Sequence, residues 1–115
     1  MSNEAYVQNK IRLAVGVGEV RLFRNNTGAL LDQSGRLIKF GLCKGSSDLI
    51  GFRSITITPD MVGTKVAVFS AIEVKDKGKT TVDQRNFINV INKSGGFAGV
   101  ARNVTDAKKI LDIVY

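Results

Sequence analysis

The chain has 115 residues, 43% of them apolar and 23% charged, with a formal charge of +7 and no histidine. Such values predict one domain, residues 1–115, of ordinary globular composition. They exclude chemistry that needs imidazole, namely a Ser-His-Asp triad, a Cys-His pair or a histidine-rich zinc site. The sequence pI near 9.9 favours a polyanionic partner, nucleic acid being the commonest, although the same charge can serve solubility alone.

Ser2 is a good N-cap and Glu4 suits a first helical turn, so the spacing of Val7, Ile11, Ala14 and Val15 predicts a helix from about Asn3 to Val15. Gly16 and Gly18 end it. Residues 19–24 alternate as a strand, and Asn25-Asn26-Thr27-Gly28 reads as a turn or loop. Leu30-Leu31 and Leu37-Ile38, separated by Asp32-Gln33-Ser34-Gly35, predict a small hairpin. The lone cysteine, Cys43, is expected as a small buried apolar residue. Gly41, Gly45 and Gly51 bracket Asp48 and either mark turns or admit close backbone, phosphate or metal approach.

Residues 53–58 alternate cleanly until Pro59 breaks the pattern, and a long strand is expected from Lys65 to Lys75. Thr81 opens a helix with Gln84 as its capping-box partner, and Gly95-Gly96 closes it. Phe97-Ala98-Gly99-Val100-Ala101 reads as a short buried strand, and Asn103 or Thr105 caps a last helix through about Ile113. The strand–helix–strand run from Lys65 to Ala101 predicts a parallel pair. No apolar run reaches ~18 residues, so no membrane span is expected, and the N-terminus has no secretory pattern.

Chemistry concentrates between Lys44 and Lys75. Asp48 precedes Leu49-Ile50, and Glu73 and Lys75 share one face of the long strand because side chains alternate with a period of two. If the two strands are neighbours, both carboxylates converge. Two carboxylates make a hard-oxygen seat for Mg²⁺ and an ammonium can hold water or a phosphate oxygen, while a structural ion-pair cluster is the plainer alternative.

Asp48 followed by Glu73-Val74-Lys75 resembles the D…(D/E)-x-K signature of the PD-(D/E)XK nuclease superfamily and, more narrowly, the VRR-NUC (virus-type replication-repair nuclease) domains. The likeness includes Glu4, Arg24-Asn25-Asn26-Thr27-Gly28, Lys44-Gly45-Ser46-Ser47-Asp48-Leu49, Gln84 and Gly95 through Ala101. Family members commonly carry proline before the first aspartate, where this chain has Ser47. The resemblance implies an α/β fold with a mixed central sheet flanked by helices, and a Mg²⁺- or Mn²⁺-dependent DNA endonuclease.

It also implies roles for residues. Asp48, Glu73 and the Val74 carbonyl would ligate the metal, with Glu4 either a further ligand or a solvated first-turn acid. Lys75 would act on the attacking water, and Gln84 would position Lys75 or the phosphate, cap its helix, or both. Arg24, Lys39, Lys44, Arg53, Lys77 and Lys79 are candidates for phosphate contact or are plain surface charges. Small stand-alone relatives resemble viral and phage proteins and Holliday-junction resolvases. That implies a cytoplasmic, phage-encoded homodimer in a bacterial host, acting on branched or four-way DNA. A non-catalytic basic nucleic-acid-binding module and a structural subunit of a viral replication complex remain the alternatives.

Overall fold

In the computed structural model, residues 3–112 are described. The chain divides into two compact units, Met1–Arg53 and Ser54–Tyr115. Both are mixed α/β. Among the described residues the strands pair as three separate two-stranded ladders, where the family resemblance implies one mixed central sheet.

The first unit opens with α1, Glu4–Val15. Asn3 occupies its N-cap position without a side-chain cap bond, and the expected cap Ser2 lies outside the described residues. The expected apolar stripe is present but not buried, with Val7, Ile11 and Val15 all exposed. The Gly16 N–H donates to the Arg12 carbonyl at 3.0 Å and closes the helix.

Strand β1, Val20–Arg24, pairs antiparallel with the strand that follows Asp48, numbered β4 below (Leu49–Arg53), in a register that sets Leu22 opposite Gly51 and Arg24 opposite Leu49. Gly51 has a steric cause. A Cβ there would overlap the Arg21 carbonyl oxygen and stand 3.0 Å from the Leu22 Cα. Gly51→Ala is therefore expected to destabilise this ladder by roughly 1–3 kcal/mol, the usual cost of overpacking, measured as a lower denaturation midpoint. Gly41 and Gly45 act differently, as left-handed turn residues with φ of 87° and 85°.

Between β1 and β4, β2 (Gly28–Leu31) and β3 (Leu37–Phe40) form the expected hairpin, with Leu30 opposite Ile38. Asp32 organises its turn. One carboxylate oxygen accepts from the Ser34 hydroxyl at 2.7 Å, the Ser34 N–H at 2.9 Å and the Arg36 N–H at 2.8 Å, and Gly35 takes the left-handed position at φ 84°. The Ser34 hydroxyl, then the Arg36 N–H, hold the Asp32 carboxyl below its ordinary value. A depressed folded value means that this turn is fully supported above the ordinary carboxylate pKa and loses support as pH falls through the lowered one. The Arg36 amide resonance should accordingly titrate with a midpoint below the ordinary aspartate range, and Asp32→Asn should abolish that titration.

Cys43 is exposed, not buried as its residue type suggests. Its backbone is committed to a turn, where the Cys43 carbonyl accepts from the Ser46 N–H at 3.0 Å and the Ser46 hydroxyl at 2.6 Å. That geometry leaves the short side chain outside.

In the second unit, residues 54–58 alternate but form no strand. Ile57 is 76% exposed, and among the described residues no strand pairs with the segment, which leads through an extended Thr58 into the short 3₁₀ turn Pro59–Met61. The strand expected from Lys65 to Lys75 is realised only as β5, Ser70–Val74. Its length is set by its partner β6, Phe97–Ala101, which runs parallel with Ser70 opposite Phe97 and Val74 opposite Ala101. Backbone bonds extend the ladder by one step at each end, from the Phe97 N–H to Phe69 at 3.0 Å and from the Lys75 N–H to Ala101 at 3.1 Å.

Helix α2, Val82–Lys93, joins β5 to β6 and begins with the complete Thr81–Gln84 capping box. Ile91 on its inner face is 1% exposed. The turn after it uses Gly95 at φ 98°. Asn92 bonds the β6 backbone in both directions, accepting from the Ala98 N–H at 2.9 Å and donating to the Ala98 carbonyl at 3.0 Å. Asn103 caps α3, Val104–Ile110, which ends earlier than expected; Ile113 lies outside the described residues. Ile110 packs where a Cβ on Gly99 would sit, so Gly99 lets α3 close on β6. No helix among the described residues is long and apolar enough to cross a membrane.

Candidate active site

In the second unit three of the expected residues meet. Glu73 lies on β5 and Lys75 directly after it, and alternation brings their side chains to one side. The Lys75 ammonium is 3.7 Å from Glu73 Oε1, with the side chains 21% and 33% exposed. At that separation the contact is Coulombic and longer than an ordinary hydrogen bond. The same Oε1 accepts from Gln84 Nε2 at 2.8 Å.

Gln84 keeps its expected capping role, and the other end of its side chain contacts Glu73, not Lys75. Its Oε1 accepts from the Thr81 backbone N–H at 2.9 Å, while its own N–H donates to Thr81 Oγ1 at 3.1 Å. Both ends of the amide are thereby used, so the capping box holds the side chain that orients the Glu73 carboxylate. Glu73 and Gln84 also line a cleft of about 360 Å³ with Ala71, Asp83, Phe87 and Ile88. Val74, whose carbonyl was the expected third ligand, is 75% exposed at the end of β5.

In the first unit Asp48 stands immediately before β4 and is exposed, not embedded in a buried strand. Glu4, from the first turn of α1, lines the same cleft of about 550 Å³ as Asp48, with Val7, Ile11, Ser47 and Leu49 on its walls. The exposed apolar stripe of α1 thus faces a cleft that holds two carboxylates.

These donors suit a hard divalent cation. They are oxygen atoms, and two carboxylates with water and substrate oxygens satisfy Mg²⁺, which keeps much of its own shell. Among the described residues Asp48 carries no ion pair, and no three acidic or cysteine side chains gather at one point.

The expected phosphate contacts are dispersed. Arg24 Nη2 donates to Asn9 Oδ1 at 2.7 Å, and Arg24 borders a second cleft with Glu4. Lys39 and Lys44 flank a cleft of about 550 Å³ beside the hairpin. Lys77 and Lys79 are exposed in the loop after β5. Sequence reasoning missed what holds that loop. Arg102 Nη2 donates to the Gly78 carbonyl at 2.8 Å, and Arg85 Nη1 donates to the Thr80 carbonyl at 2.7 Å. Both guanidinium groups thus bond the backbone of the loop that carries the two lysines. The signal was available only as position, Arg85 in the first turn of α2 and Arg102 directly after β6.

A third omission is Asn25. Its Oδ1 accepts from the Leu42 N–H at 2.8 Å, and its Nδ2 donates to Ser46 Oγ at 2.7 Å and to the Ser47 carbonyl at 2.9 Å. Its backbone N–H donates to the Asp48 carbonyl at 2.8 Å.

The family model for the VRR-NUC domain matches residues 22–105. That span contains Asp48, Glu73, Lys75, Gln84 and the loop 76–80, and leaves Glu4 outside. No curated protein and no solved structure matches the chain.

Proposed function

The chain belongs to the VRR-NUC domain family, a nuclease-type domain acting on DNA, and on that premise we propose that it is a Mg²⁺- or Mn²⁺-dependent endonuclease that hydrolyses phosphodiester bonds in branched DNA. The observation that carries this reading is the Glu73–Lys75–Gln84 cluster, a carboxylate held between an ammonium and a capped amide. Asp48, with Glu4 on the wall of the same cleft, and Glu73, with the Val74 carbonyl, are the oxygen donors we assign to the metal. When bound, the metal supplies positive charge at the phosphate and acidifies water.

The chain's own residues do the remaining work. Gln84 holds Glu73 in one orientation through the bond to its Oε1. Lys75 orients the attacking water and stabilises the negative charge that grows on the phosphoryl oxygens. One phosphorus–oxygen bond forms from water and one to the leaving sugar oxygen breaks. A four-way junction calls for two symmetric cuts, and a C2 homodimer presents two identical sites with the symmetry of that substrate. The likeness of small stand-alone members of the family to viral and phage proteins favours a phage-encoded protein in the bacterial cytoplasm.

Plasmid nicking with and without Mg²⁺ or Mn²⁺ tests the reaction, and a panel of flap, splayed, nicked and four-way substrates tests the substrate. Intact binding with no metal-stimulated cutting would leave the non-catalytic basic module in its place. The docking face has its own test. Replacing Lys77 and Lys79 together with Gln should lower the slope of log affinity against log salt by about one to two units, at ~0.9 per phosphate contact. An unchanged slope would remove the loop 76–80 from the interface.

A further inference from the structure

Asn25 and the turn it holds are 17 or more residues apart in sequence, yet Asn25 makes four hydrogen bonds to the segment 42–48. The side chain is read unambiguously: the Leu42 N–H needs an acceptor and the Ser47 carbonyl needs a donor, which fixes Oδ1 and Nδ2. A relay continues beyond it, since Ser46 Oγ accepts from Asn25 and donates to the Cys43 carbonyl at 2.6 Å. Chains of this kind strengthen one another. Gly41 makes the approach possible, because a Cβ there would stand 2.6 Å from the Thr27 Cα and 2.7 Å from the Asn26 carbonyl oxygen.

The chemistry singles out asparagine. One short side chain must present an acceptor and a double donor at once. Aspartate has no donor, serine has a single hydroxyl, and glutamine places the amide one methylene too far. The segment so held has no ladder partner until Leu49, where β4 begins opposite Arg24. Its last residue is Asp48, whose carbonyl is tied to Asn25 and whose carboxylate borders the cleft shared with Glu4.

We propose that Asn25 is the positioning residue for Asp48: it fixes the 42–48 segment from both its side chain and its backbone, and so sets the affinity of the Asp48 carboxylate for a divalent cation. This rests on the reading of Asp48 as a metal ligand. The residue touches neither metal nor substrate, and its effect runs through the orientation of Asp48.

The test is direct Mn²⁺ titration of the full chain by electron paramagnetic resonance without DNA, alongside melting curves and the Mn²⁺ dependence of plasmid nicking. Asn25→Ala should bind Mn²⁺ roughly 10–100-fold more weakly, the range for partners that orient a metal ligand. Half-maximal nicking should need correspondingly more Mn²⁺, with the rate recovered at saturating metal. Should Asn25→Ala fail to fold, Ser46→Ala carries the test. It removes one bond of the relay and should weaken Mn²⁺ binding about fivefold, the worth of one ordinary hydrogen bond.

Asp48→Asn separates the two readings. If Asp48→Asn weakens Mn²⁺ binding while Asn25→Ala and Ser46→Ala bind it like the wild type, the metal reading stands and the positioning role is overturned. A lowered melting temperature with unchanged Mn²⁺ affinity in Asn25→Ala overturns it equally, since that is the signature of a purely structural lock. If Asp48→Asn itself binds Mn²⁺ normally, the underlying assignment of Asp48 fails first.

Discussion

Glu73→Gln should fold, bind DNA and fail to cut it. The substitution keeps size and can keep the local contacts, because a glutamine carbonyl oxygen can still accept from Gln84 Nε2, now at 2.8 Å, and face the Lys75 ammonium. What it removes is the negative charge that would hold a divalent cation. Lewis-acid assistance is worth several kcal/mol, and each 1.36 kcal/mol is a factor of ten in rate. Single-turnover cleavage should therefore fall by roughly 10³-fold or more. Asp48→Asn should behave alike for the same reason. Binding to DNA should hold or tighten in both, since one acidic charge is withdrawn from the neighbourhood of phosphate. Robust cutting by either purified variant would take that residue out of the metal set.

How far the site was legible depends on the range of the interactions that build it. The Glu73–Lys75 side was readable from alternation, and the Thr81–Gln84 capping box from four consecutive residues, because both are local. Strand β6 and the Asn103 cap were readable for the same reason. Residues 54–58 and 65–69 misled, since alternation reports which faces are apolar and not whether a partner strand exists; the five residues of β6 are what limit β5. Cys43 misled because a turn, not its hydrophobicity, decides its exposure. Asn25 read as turn composition and as one residue of the family motif, with no role assigned. Its meaning lies in bonds to Leu42, Ser46, Ser47 and Asp48, and no local pattern encodes a contact across that separation. Gly51 lies between these cases, because the sequence offered turn or close approach and the Arg21 carbonyl decides for close approach.

Lys75 is where a catalytic and a structural role part most cleanly. Its Nζ lies 3.7 Å from Glu73 Oε1 with a fifth of the side chain exposed, and Gln84 independently satisfies the same oxygen. Removing the ammonium therefore leaves Glu73 hydrogen-bonded, and partly exposed pairs contribute only about 0–1 kcal/mol. Lys75→Met keeps the apolar stem, so the melting temperature should move by a few degrees at most. Cleavage should respond differently. In the proposed role the ammonium acts where charge grows only in the transition state, and the loss of one such group costs about 10²–10³-fold, concentrated in kcat. Lys75→Arg should rescue poorly, because a planar guanidinium is not a compact point charge and does not give up its proton. A purely structural lysine gives the opposite pattern, with Lys75→Met melting well below the wild type and Lys75→Arg restoring both stability and cleavage. Melting curves, Mn²⁺ titration and single-turnover rates on the two variants distinguish them. A Lys75→Met protein that binds Mn²⁺ and cuts at the wild-type rate would sink the catalytic assignment, whatever its stability.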